Sequence, residues 1–144
     1  MLALGAQTQL SLSLRSELAS CEIARQAVGN LLASHSPSAQ ALYQVEVVLE
    51  EALMNQISHA FPDKSPDHPL QLVAEVVCDS VTLTFADHGV PFNPLQTDAP
   101  VFPTRLEDAS PGGLGIFLTQ KYAQSLAYVR LGSENRLTVV LALR

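Results

Sequence analysis

Glu51-Ala52-Leu53-Met54-Asn55-Gln56-Ile57-Ser58-His59 lies inside a strongly apolar-periodic segment, and its folding decides how the rest of the chain is arranged. A helix from about Ser38 to Ala60 stacks Glu51, Asn55 and His59, four residues apart, on one face. The opposite side then carries Val45, Leu49, Leu53, Ile57 and Ala60, an apolar stripe that must pack on a second layer. Asn is a poor helix-interior residue unless its side chain is used. A core helix offering a carboxylate, an amide and an imidazole along one stripe is prepared for chemistry or for an ion.

Upstream, residues 8–14 alternate, with Leu10, Leu12 and Leu14 on one face and Ser11 and Ser13 on the other, as in a half-buried strand. Ser16 is placed to cap a first helix, in which Leu18, Cys21, Ala24, Val28 and Leu31 recur at helical spacing to about residue 33. Downstream, Phe61 to Pro69 is a loop with three prolines. Residues 70–77 and 80–86 read as two strands around a tight Cys78-Asp79 turn. Residues 88–112 are a long irregular segment carrying five prolines, a length that is uncommon without a function. A helix from about Gly113 to Gln124, a strand at 127–131, a turn at Gly132-Ser-Glu-Asn135 and a last strand with Leu137, Val139, Leu141 and Leu143 complete the chain. The order β-α-α-β-β-loop-α-β-β predicts a two-layer α/β sandwich, with five mostly antiparallel strands covered on one face by three helices.

The 144 residues suffice for one domain with a real core, and 47% apolar content argues against general disorder. A net charge of −6, with eight scattered basic residues, excludes a protein that grips the nucleic-acid backbone, which needs a basic face. Two cysteines, Cys21 and Cys78, make neither a disulfide scaffold nor a metal site. The start lacks a basic n-region and no stretch reaches the length of a membrane span, so a soluble cytoplasmic protein is expected.

Two further clusters stand beside the helical one. Asp87-His-Gly89-Val-Pro91-Phe92 follows a strand. Asp-X-Gly is an ordinary turn. It is also a place where a carboxylate can accept a hydrogen bond from the exocyclic amine of a base while Gly89 admits close approach, with Pro91 and Phe92 walling the pocket. Gly112-Gly113-Leu114-Gly115 opens an apolar helix, and free amides at a helix start attract phosphate; a flexible hinge is the plainer use. Neither a Rossmann fingerprint nor a P-loop is present. Arg105 and Lys121 are the nearest basic residues to this segment. Glu51, which alone would be an ordinary solvated group, could poise a hydroxyl for attack on a phosphoryl group, and Asn55 suits Mg²⁺ as a neutral oxygen ligand.

Together the three segments resemble the nucleotide-binding boxes of the ATPase superfamily shared by DNA gyrase and sensor histidine kinases, and most closely its small single-domain branch, the bacterial anti-sigma factor serine kinases. Glu51, Asn55 and His59 are similar to that family's Glu-X-X-X-Asn helix; Asp87, Gly89, Pro91 and Phe92 to its Asp-X-Gly-X-Pro-Phe box; Gly113-Leu-Gly115-Ile-Phe-Leu to its glycine box; and Asn135-Arg136-Leu-Thr to its ending. The resemblance covers about residues 7–143. It implies a histidine kinase-like ATPase domain over 7–144 with the Bergerat fold and an ATP lid at 93–112. It further implies ATP and Mg²⁺ as ligands, Glu51 as general base, Asn55 as the Mg²⁺ holder and Asp87 as the adenine contact. His59, Gly89, Pro91, Phe92 and Gly112 to Gly115 would complete the nucleotide site. The implied activity is that of a serine/threonine-protein kinase that phosphorylates a small anti-sigma-factor antagonist and alternately holds a sigma factor, as a homodimer. One departure is Asp108-Ala-Ser-Pro111 before the glycine box, where the family often carries charged residues; phosphate neutralisation would fall on Mg²⁺ and backbone amides. The rival reading is a non-catalytic ATP-gated protein-binding module, and a third is a purely structural interaction protein.

Overall fold

A computed structural model describes residues 7–96 and 113–144. Strand β1 (Gln9–Arg15) leads to helices α1 (Ala19–Ala33) and α2 (Ala39–His59), then to strands β2 (Pro69–Val77) and β3 (Ser80–Asp87). Helix α3 (Gly113–Tyr122), β4 (Ser125–Leu131) and β5 (Glu134–Ala142) follow. The five strands form one sheet in the order β1-β2-β3-β5-β4, and each of its four pairings is antiparallel.

Alternation along the strands sets the two faces of this sheet. Leu70, Leu72, Ala74 and Val76 of β2, and Val81, Leu83 and Phe85 of β3, point to the buried side. Leu137, Val139 and Leu141 of β5 join them. Helices α1 and α2 cover this side: Val28 and Leu32 from one, and Val45, Val48, Leu49 and Leu53 from the other, are almost wholly withdrawn from water. The expected stripe on α2 is therefore real, with Val45, Leu49, Leu53 and Ala60 buried and Ile57 half-buried at its margin. Helix α3 packs on α2.

The ends of α2 are tied differently. Ser38 caps its start, the hydroxyl accepting from the Ala41 N–H at 3.0 Å. At its far end the Ala60 carbonyl accepts from the Val90 N–H at 2.8 Å, so the loop after β3 is stitched to the helix terminus. The loop from Phe61 to Pro69 is held by a stack of Phe61 on His68 with ring centres 4.0 Å apart. Nε2 of His68 bonds Asp63 at 2.9 Å. The Ser65 N–H and then His68 hold the Asp63 carboxyl below the usual carboxylate range.

Two local expectations are corrected. Ser16 does not cap α1: the chain makes a further turn, with the Glu17 N–H on the Arg15 carbonyl at 2.8 Å, and Leu18 becomes the capping position without a side-chain bond. Ser20 serves that junction instead, donating to the Arg15 carbonyl at 2.6 Å and accepting the Arg15 N–H at 3.2 Å. The last turn is also shorter than Gly132 to Asn135. Gly132, at φ 58°, turns the chain with Ser133, and Glu134 and Asn135 already lie in β5. Ser38→Ala is expected to lower unfolding free energy by about 1 kcal/mol in urea denaturation, the usual worth of a side-chain cap, while Ser38→Gly loses only a few tenths.

Candidate functional site

Strand register converts one end of the buried sheet face from apolar to polar. Leu14, Leu70, Asp87, Asn135 and Arg130 are successive cross-strand partners from β1 to β4. Leu14 and Leu70 continue the core, whereas Asp87, only 4% exposed, and Asn135, 6% exposed, bury polar groups that must find partners. They find each other: Asn135 Nδ2 donates to Asp87 Oδ1 at 2.9 Å and to the Val90 carbonyl at 2.8 Å. The Gly89 N–H also donates to Oδ1 at 2.9 Å, closing the Asp-X-Gly turn. From α2, Gln56 Nε2 donates to Oδ2 at 3.0 Å. Asn135 is fixed in turn, its Oδ1 accepting from the Tyr128 hydroxyl and from Arg130 Nη1, the latter at 3.1 Å. The same Arg130 nitrogen reaches the Gly89 carbonyl at 2.7 Å and so straps the turn to β4.

Above this network lies a small, partly open cleft. Asn55, Gln56, Asp87, Phe92 and Asn135 contribute to its walls, with Ala52, Ala60, Phe85 and Leu137 among the apolar lining. An apolar slot with a few convergent polar groups is the usual form of a small-molecule site. Residues from the expected helix and from the expected post-strand turn thus meet in one place.

The other predicted residues fall around it. Asn55 is half-buried, and its Nδ2 has no hydrogen-bond partner among the described residues. Glu51, one turn earlier on the same face, is half-buried too; burial pushes its carboxyl above the ordinary range, and neighbouring Glu50 adds to the shift. His59 is exposed and stacks on Phe92, ring centres 4.4 Å apart and planes 16° from parallel, so it braces the wall from outside. Pro91 does not wall the cleft: it is exposed on an outer depression shared with Phe61, His68 and Gly89. Gly89 has a requirement of its own, because a Cβ there would stand 2.3 Å from the Ala60 carbonyl oxygen. Gly113, Leu114 and Gly115 form the first turn of α3, as expected for the glycine box. Gly112, Arg105, Asp108 and most of the segment assigned as a lid, residues 97–112, lie outside the described residues. Two contributors escaped sequence reading. Gln56 looks like a spacer inside the motif, and Asn135 looks like a turn residue.

Among the described residues no helix is long and apolar enough to cross a membrane, and no group of three or more His, Cys, Asp or Glu side chains could by itself hold a metal ion.

Residues 14–142 match the histidine kinase-like ATPase domain family. The serine/threonine-protein kinase BtrW of Bordetella bronchiseptica is 35% identical over 104 residues, which is 71% of this chain and 71% of that protein. The anti-sigma F factor of Oceanobacillus iheyensis is 21% identical over 123 residues, 85% of this chain and 84% of its own length. Among solved structures, that of the RsbU and RsbW domains of Rv1364c from Mycobacterium tuberculosis shares the fold with a TM-score of 0.67 at 14% identity, over 95% of this chain and 33% of that one. A blue-light activated histidine kinase of Erythrobacter litoralis, EL346, shares it with a TM-score of 0.55 at 20% identity, over 74% of this chain and 32% of that one. This chain therefore spans about a third of those solved chains, and they establish its architecture alone.

Gly89→Ala is expected to cost at least about 2 kcal/mol in chemical denaturation, because backbone rather than a flexible side chain opposes the added methyl. Asn135→Ala is expected to cost about 1–3 kcal/mol, since it strips donors from the Asp87 carboxylate and the Val90 carbonyl at once.

Proposed function

Because this chain belongs to the histidine kinase-like ATPase domain family, we propose that it binds ATP with Mg²⁺ and phosphorylates a serine of a small anti-sigma-factor antagonist, and that it alternately holds a sigma factor. The observation that carries this reading is the meeting of Asn55 and Asp87 in one cleft walled by Phe92. Relatives named as a serine/threonine-protein kinase and as an anti-sigma F factor support the reaction class and the partners.

The donor set fits the metal. Mg²⁺ prefers one or two protein oxygens and takes its remaining ligands from water and phosphate. Asn55 offers a half-buried carboxamide with spare bonding capacity, and Glu51 stands on the same helix face. The partnerless atom is Nδ2, a donor; the carboxamide would present Oδ1 to the ion by turning over, which breaks no hydrogen bond of Nδ2. Bound there, Mg²⁺ would neutralise charge on the phosphates. That matters in a chain whose net charge is −6 and whose described residues in α3 include a single cation, Lys121.

The chain's own residues divide the remaining work. Asp87 accepts from the exocyclic amine of adenine; its oxygens are held in place by Gln56, Asn135 and the Gly89 N–H, so the acceptor is pre-organised. Phe92 and the apolar lining cover the ring, with His59 bracing Phe92. Glu51 takes the proton of the attacking serine hydroxyl, and its raised pKa makes it a stronger base than a solvated glutamate. Positioning by these side chains supplies most of what phosphoryl transfer asks of a protein. Closure of residues 93–112 over the nucleotide, and pairing of two copies, complete the arrangement proposed for this chain.

Glu51→Gln is expected to hold nucleotide affinity within about threefold while phosphoryl transfer falls by roughly 10²–10⁴. Asp87→Asn is expected to weaken adenine-nucleotide binding about tenfold, because it replaces an acceptor with a donor. Calorimetry beside transfer of labelled phosphate to the antagonist checks both. Equal loss of binding in the Glu51 variant would refute its assignment as base. Partner capture that requires ATP but moves no label would identify the gated module instead.

Transfer should also rise with pH through a midpoint above that of an ordinary glutamate and flatten in the Glu51→Gln variant, as a pH–rate profile would show. The stability sign runs the other way. A raised folded pKa favours the fold at pH values below the unfolded value, and that advantage disappears as pH rises through the folded one.

A further inference from the structure

The Asp87 network leaves one buried group unanswered. Gln56 is 9% exposed, lines the cleft and spends its amide nitrogen on Asp87 Oδ2, yet its Oε1 has no hydrogen-bond partner among the described residues. The orientation follows from chemistry: a carboxylate oxygen only accepts here, so Gln56 must turn its NH₂ toward Asp87 and its carbonyl away. A buried acceptor left dry is destabilising, and native proteins rarely retain one without a use. Its surroundings make room for a ligand. Ala52, one turn earlier on α2, and Ala60, the C-cap of that helix, are small and line the same cleft.

We propose that Gln56 is a specificity-determining residue that reads the base edge together with Asp87. This rests on the adenine site proposed above and names the chemistry by which that site selects its purine. Among the described residues Asp87 Oδ1 already receives two donors, whereas Oδ2 receives only Gln56 and keeps capacity for another. Gln56 Oε1 and Asp87 Oδ2 thus form a pair of acceptors in one wall. A 6-amino purine brings two N–H donors, one for each. A 6-keto purine brings an oxygen to two acceptors and is rejected by unpaired polar groups rather than by size. Asp87 alone would need only one N–H; the pair needs both.

The test titrates the full chain, with Mg²⁺, against ATP, ITP and purine riboside triphosphate, which carries hydrogen at position 6, using wild type and Gln56→Leu. Wild type is expected to bind ATP about tenfold or more tightly than the purine analogue, with ITP weakest. In Gln56→Leu, ATP affinity is expected to fall roughly fivefold while the purine analogue changes by less than about twofold, narrowing the ratio between them. A ratio that stays at the wild-type value overturns the proposal and leaves the adenine site standing. Wild type that binds none of the three overturns the site and this inference together.

N6-methyl-ATP, which keeps one N–H, provides an arm independent of the variant's folding. Wild type is expected to bind it at least about fivefold more weakly than ATP, and equal affinity overturns the two-acceptor wall.

Discussion

The structure depends on a buried carboxylate at the end of its central strand. Asp87 terminates β3 with almost no exposure, where an isolated charge would be very costly. Three elements answer it: α2 through Gln56, β5 through Asn135 and the following turn through the Gly89 N–H. Each bond also fixes the element that provides it. The helix is held over the sheet at the level of the cleft, the last hairpin is held beside β3, and the turn is closed on the end of β3, from where the Val90 N–H reaches the α2 terminus. A buried polar network tied to several elements rigidifies and specifies its surroundings, and here those surroundings are the cleft, toward which one acceptor, Gln56 Oε1, is left over.

Residues around the cleft therefore do structural duty as well. Gly89 meets the Ala60 carbonyl too closely for any side chain, and the next residue bonds that same carbonyl. Phe92 closes one wall and is braced by His59 from the last turn of α2. The cleft and the C-terminal end of α2 share residues, so a substitution at either is felt at the other. Glu51 is differently placed. It stands earlier on α2, half-buried beside Glu50, and is free of the hydrogen bonds that fix Asp87. That separation lets Glu51 and Asp87 be altered independently.

Much of this was legible in the chain itself. The stripe of Val45, Leu49 and Leu53 required a covered helix, Ser38 announced its start, and alternation of Leu10, Leu12 and Leu14 marked the inward side of β1. Asn55 stood out because an amide within a helix needs a purpose. Gln56 did not, because it adjoins Asn55 in a stripe of otherwise apolar positions and only the tertiary fold reveals a carboxylate waiting above it. Asn135 was hidden by its company: Gly132, Ser133 and Glu134 read as a turn, and only the register with Asp87 extends β5 back to it. Ser16 failed as a cap because one more local turn, fastened by Ser20, intervened before α1. Spacing reveals which faces are apolar; partners across the sheet belong to the fold.

The cross-strand row from Leu14 to Arg130 carries one last consequence. Side chains alternate along a strand, so sliding β5 by a single residue against β3 would swap its inner and outer sets and pull Asn135 away from Asp87. The error would expose Leu137 and Val139 to solvent and leave the aspartate without that donor in the same stroke. A misaligned molecule is thus both sticky and without its cleft. An intact cleft is therefore a signature of correct strand alignment, formed only by chains that have paired in register.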